Sequence, residues 1–159
     1  MNRTIKKITV ILFVTYAFFL MYVLFFNSRF ANLTDWTYWS YIKRSINIVP
    51  LKTIGEYFAR IAENTINVST VVKNIVGNIV VFMPMGFLLP CIWKKLRRPL
   101  KAIAGGFIII LSVEIIQLFS TLGSFDVDDI ILNLLGFSVG FLLFKIKPIN
   151  ALLKKLTVI

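Results

Sequence analysis

The chain has 159 residues, of which 58% are hydrophobic and 16% charged, with a net charge of +11 and a mean hydropathy of +0.83. That balance excludes a soluble globular domain, in which about a quarter of the residues are charged. The absence of histidine removes every imidazole base, triad and metal ligand, and a single cysteine, Cys91, removes an internal disulfide and a multi-cysteine zinc cluster.

The places where charges stop and resume mark four hydrophobic stretches, 8–26, 75–93, 102–122 and 128–144. A helix needs ~20 mostly apolar residues to cross the hydrocarbon core. The pattern predicts an all-α integral membrane protein of a single domain, 1–159, with four transmembrane helices. The first stretch has the basic start of a signal peptide. Its long apolar run ends in Phe25, Phe26 and Asn27 with no small-residue cleavage pattern, so a retained helix is expected.

The first connection, 28–73, carries an aromatic cluster, Trp36, Tyr38, Trp39 and Tyr41, of the kind that settles at headgroup depth. Downstream of Pro50, Thr53 and Glu56 have the spacing of a capping box, and Ile54, Tyr57, Phe58 and Ile61 recur at helical spacing. A short amphipathic helix on the outer face of the membrane is therefore expected.

The second span brings Asn74 and Asn78 at i and i+4, and then Pro84, Gly86 and Pro90, which are expected to interrupt it and free carbonyls for polar partners. The loop 94–101 packs Lys94, Lys95, Arg97, Arg98 and Lys101 together. With Arg3, Lys6 and Lys7 before the first span and Lys145, Lys147, Lys154 and Lys155 in the tail 145–159, these clusters predict cytoplasmic N- and C-termini. The basic clusters are explained by orientation and by anionic lipids of the inner leaflet, which argues against a nucleic-acid partner.

The third span carries Glu114 and, one turn on, Gln117. A carboxylate at that depth costs ~2.5 to 3.5 kcal/mol on insertion scales, so something must offset it. The short connection after it holds Asp126, Asp128 and Asp129, and the fourth span continues with Asn133, Gly136 and Gly140. Positions 126, 129, 133, 136 and 140 share one helical face, on which the GxxxG pair admits a close neighbour. The topology sends Asn78, Glu114, Gln117, Asp126, Asp129 and Asn133 to the outer leaflet, where they converge on one polar site, with Arg44 the cation at hand. For Asn74 and Asn78, interhelical glue is an equal alternative. For the carboxylates a functional role is favoured, because ionisable groups inside a membrane are costly to keep.

Taken in order, these residues resemble the successive motifs of the VanZ-like family. The pattern is carried by Arg44, Asn47 and Pro50, by Asn74, Asn78, Phe82, Pro84 and Gly86, by Glu114 and Gln117, and by Asp126, Asp128, Asp129, Asn133 and Gly136. The resemblance covers residues 42–144. It implies a small polytopic protein of the bacterial cytoplasmic membrane, in a family named for a member associated with low-level resistance to the glycopeptide teicoplanin.

Three functions follow as expectations. The first is an outward-facing site for an amphipathic envelope ligand, a lipid-linked precursor or the glycopeptide itself, lined by Arg44, Asn47, Asn74, Asn78, Glu114, Gln117, Asp126, Asp128, Asp129 and Asn133. Membrane lipids are the expected partners. The second is an intramembrane enzyme acting on such a lipid, with Glu114 as general acid or base and Asp126 or Asp129 stabilising charge or holding a divalent cation. The third is a proton or cation transporter. Pro50, Phe82, Pro84, Gly86, Gly136 and Gly140 are assigned to structure, no metal centre is assigned, and cofactor and oligomeric state are left open.

Overall fold

The computed structural model describes residues 3–26 and 37–155. Trp36 of the aromatic cluster lies outside them. Among the described residues the elements run α1 (Arg3–Met21, continued by a π turn, Tyr22–Phe26), α2 (Tyr38–Arg44), β1 (Ile46–Asn47), α3 (Lys52–Ala62), α4 (Val68–Ile92), a 3-10 turn (Lys94–Arg97), α5 (Pro99–Phe119), β2 (Phe125–Asp126), α6 (Val127–Lys145) and α7 (Lys147–Lys155).

Four segments, Thr4–Phe25, Val68–Ile92, Pro99–Phe119 and Val127–Lys145, are long and apolar enough to span a bilayer. Their outward surfaces are those of a protein solvated by lipid: Phe18 is 73% exposed, Ile108 63% and Leu142 62%. Patches of that kind are rare on soluble monomers. The chain is a membrane protein.

The helix ends differ from the stretches drawn by charge. The second helix starts at Val68, seven positions ahead of 75, because Val71 is already buried and Lys73 does not stop it. A lysine at a membrane edge lays its stem along the helix and lifts its ammonium to the headgroups. The third helix starts on Pro99, a residue suited to the first helical turn, and stops at Phe119 because Thr121 turns left-handed at φ 59°.

Pro84 and Pro90 do not interrupt α4, which runs through both as one helix. Within a span a proline is tolerated when a neighbour satisfies the backbone it disturbs. Pro84 and Pro90 leave the Val80 and Gly86 carbonyls without their usual N–H; next to the first of these the Tyr16 hydroxyl of α1 donates to the Val81 carbonyl at 2.7 Å, and at the helix end Arg97 Nε donates to the Pro90 carbonyl, a last-turn acceptor, at 3.0 Å. Gly86 is a packing position. A β-carbon there would fall 1.9 Å from the Phe137 carbonyl oxygen.

The same distance, 1.9 Å, separates a β-carbon placed on Gly136 from the Ile79 carbonyl and one placed on Gly140 from the Met83 carbonyl. The backbones of α4 and α6 therefore touch at three places, which is what a small-residue stripe permits. Around this seam Phe82, Phe137, Phe144 and Ile110 are fully enclosed, and α6 is the most buried of the spans.

The basic clusters gather at one end of the bundle, where α1 begins, Lys94–Arg97 turns and α7 follows α6. We call this the basic end and the opposite one the polar end. The tail, for which the sequence analysis gives no element, contains α7, where Ile149, Leu152 and Leu153 recur at helical spacing and Leu153 packs on the core.

Candidate polar site

Three tiers of polar side chains occupy the polar end. The uppermost is built by the loops. Ile46 and Asn47 pair in parallel with Phe125 and Asp126, and the Phe125 amide donates to the Ser45 carbonyl at 2.8 Å. Helix α2 is fixed on the same connection, with the Tyr38 hydroxyl donating to the Phe119 carbonyl at 3.1 Å and that of Tyr41 to the Gly123 carbonyl at 2.7 Å. Arg44 is exposed on the last turn of α2, next to Ser45.

This pairing places Asn47 over Asp126. Its Nδ2 donates to Asp126 Oδ1 and to Thr53 Oγ1, both at 3.0 Å, while the Thr53 hydroxyl donates to Asp126 Oδ2. Asp126 also accepts the Asp128 amide at 2.9 Å and so caps α6.

The capping box expected at Thr53 and Glu56 does not form. The residue before α3, Leu51, has no capping side chain, Thr53 is turned to Asp126, and Glu56 lies 3.9 Å from Lys52. The orphan amides at the start of α3 are taken instead by Asp128, whose two oxygens accept from the Leu51 and Ile54 N–H groups. A carboxylate at a helix start is favoured by the helix dipole as well as by the hydrogen bonds. Asp128, 1% exposed, thus fastens the surface helix to α6.

In the middle tier Asn78 Nδ2 donates to Asp129 Oδ1. Nearby, Asn74 Nδ2 donates to the Tyr57 hydroxyl oxygen at 3.0 Å. Burial is the main effect raising the Tyr57 pKa, so the phenol stays neutral in the ordinary pH range. In the deepest tier Asn133 Nδ2 donates to Glu114 Oε1 at 3.4 Å, and both residues are 2% exposed.

The expectation of one convergent site is corrected in two respects. Asp126 does not stack on the α6 face, because it is in extended conformation ahead of the helix. Gln117 turns away from Glu114 and donates to the Leu24 carbonyl of the first span at 3.0 Å. What Asn78, Asp129, Glu114 and Asn133 form is a ladder between α4, α5 and α6, with Asp126 and Asp128 in the roof.

Beside this ladder, between α1 and α4, runs a groove of about 780 Å³. Lys73, Asn74, Asn78 and Gln117 line its polar part, while Tyr16, Phe19, Val80 and Pro84 are among its apolar walls. Lys73 and Tyr16 are absent from the residues picked out by sequence. That a lysine at a span boundary and a tyrosine on another helix line one groove shows only once the helices are paired.

The family profile described as VanZ/LLP1 matches residues 13–148. The chain belongs to the VanZ/LLP1 family. A relative, Protein VanZ of Enterococcus faecium, is 26% identical over 117 residues, which are 74% of this chain and 63% of the relative. The chain therefore spans less than two thirds of that relative's length. No solved structure matches. Every residue of the three tiers and of the groove lies inside the stretch matched to VanZ/LLP1, whereas most of α7 lies beyond it.

Proposed function

We propose that this VanZ/LLP1 protein sits in the bacterial cytoplasmic membrane with its basic end in the cytoplasm, and that its polar end binds an amphipathic envelope ligand from the outer leaflet. The lysine and arginine clusters support the orientation. The groove is the observation that carries the binding. It is polar where Lys73, Asn74, Asn78 and Gln117 meet and apolar along Phe19, Val80 and Pro84, which suits a ligand with a charged head and an acyl or prenyl tail.

Binding is favoured over transport because the interior toward the basic end is filled by Phe82, Ile110, Phe137 and Phe144. It is favoured over metal-assisted lipid chemistry because Asp126 and Asp128 commit their oxygens to Asn47, Thr53 and backbone amides. Captured at the outer leaflet, a lipid-linked precursor or the glycopeptide itself is kept from its usual encounter, and low-level teicoplanin resistance follows.

The test is drug susceptibility of cells expressing Glu114→Gln or Asp129→Asn variants at wild-type levels. Protection is expected to fall to that of cells without the protein. Undiminished protection in both variants contradicts the reading.

A further inference from the structure

At the basic end, the turn between α4 and α5 forms a cavity of about 290 Å³ lined by Lys94, Lys95, Arg98 and Lys101. All four side chains are exposed, and among the described residues none of them has an ion-pair partner. Arg97 of the same turn is outside the lining, and its Nε donates to the Pro90 carbonyl. No acid occurs between Glu63 and Glu114 or after Asp129, so the neighbouring sequence brings no carboxylate. Cations that converge without a counter-charge repel one another, and a bound anion removes that cost.

The surroundings of the cavity point to a lipid as the source of the anion. Trp93, just before the turn, and Leu100, between Arg98 and Lys101, are both exposed, Leu100 more than any other large apolar side chain described. A tryptophan at the end of a span settles at headgroup depth. The cations therefore stand at the level of lipid phosphates, with apolar surface beside them for a tail.

We infer that this cavity is a discrete site for an anionic lipid whose head carries two phosphates, drawn from the leaflet that the basic end faces. A lysine-rich surface attracts anionic lipids diffusely and does not choose among them. Four cations around one cavity favour the head that brings the most negative charge to one place, and basic pockets between transmembrane helices hold heads of that class. Arg98 offers parallel N–H donors to one phosphate, and the lysines act as point charges around the other. The groove lies at the opposite end of the bundle, and neither reading depends on the other.

The purified full chain in neutral detergent is titrated with phosphatidylglycerol and with phosphatidylglycerophosphate, both with two oleoyl tails, and the one-lipid adduct is followed by native mass spectrometry. Wild type is expected to bind the two-phosphate lipid about tenfold tighter than the one-phosphate lipid. The double variant Lys95→Gln, Arg98→Gln is expected to lower affinity for the two-phosphate lipid roughly 25-fold, about fivefold for each cation removed. The double variant Lys6→Gln, Lys7→Gln removes the same charge outside the cavity and is expected to change that affinity less than about threefold. Equal affinity of wild type for the two lipids overturns the site, and so does an equal effect of the two double variants. Inorganic pyrophosphate at the concentration of the lipid is expected not to displace it, and displacement overturns the lipid as occupant. The wild-type comparison decides the matter even if a variant does not fold.

Discussion

Asp128 shows how one residue changes meaning between sequence and structure. In the sequence it is the middle acid of a short connection, as suited to solvent as to a site. In the structure it is buried and holds the start of α3 by two amides. Asp128→Asn keeps the shape but turns an NH2 toward one of those amides. The expected cost is about 1 to 3 kcal/mol, read as a lower unfolding temperature in detergent together with lost hydrogen-exchange protection at Leu51 and Ile54. Leu51 makes the converse case. It holds a left-handed φ of 65° and its side chain is 63% exposed. Leu51→Gly is expected to stabilise the protein by up to about 1 kcal/mol, since relieved strain outweighs the little packing removed. A clear loss of stability would show that the leucine side chain is anchored after all.

At the scale of elements, the spans and the close-packing face of α6 are legible in the sequence, because both depend on local features, whereas α4 as the partner of that face is not. Charges bound the apolar runs, and Gly136 and Gly140 are spaced to share a face. The start of α3 is misread for the opposite reason. The partners of Thr53 and of the Leu51 amide lie 73 and 77 positions away, and no local capping rule sees them. Pro84 is misread because its tolerance inside α4 depends on how other helices pack around that span, which no local rule sees. The seam itself is testable by a contrast among glycines. Gly136→Ala, Gly140→Ala and Gly86→Ala each drive a β-carbon into a carbonyl of the facing helix and are expected to cost several kcal/mol, seen as poor yield and aggregation on size exclusion. Gly77, with no atom within 4 Å of such a carbon, is expected to accept alanine and gain about 1 kcal/mol from helix propensity. Equal behaviour of Gly77→Ala and Gly136→Ala would contradict the close backbone approach.

At the scale of the whole molecule, the sequence shows the four-helix plan and the amides and acids of the site. It does not show their division into tiers or the groove, since both depend on which helices are neighbours. The proposed orientation makes a direct prediction. Cys91 is 1% exposed and so is a silent background for thiol labelling. A cysteine at exposed position Ser124 is expected to react with a membrane-impermeant maleimide on intact cells, and one at Lys95 only after permeabilisation. The reverse pattern would turn the polar end inward and remove the outer leaflet as the source of the ligand.

The central claim is that an amphipathic molecule lies in the groove between α1 and α4. Native mass spectrometry of the protein, gently extracted from its own membrane, tests it most directly when wild type is compared with Gly77→Leu. The leucine fills the groove from a position where nothing else is crowded. Wild type is expected to carry a lipid of defined mass and Gly77→Leu to be folded but bare. A bare wild-type protein, or the same lipid retained by Gly77→Leu, would contradict the account.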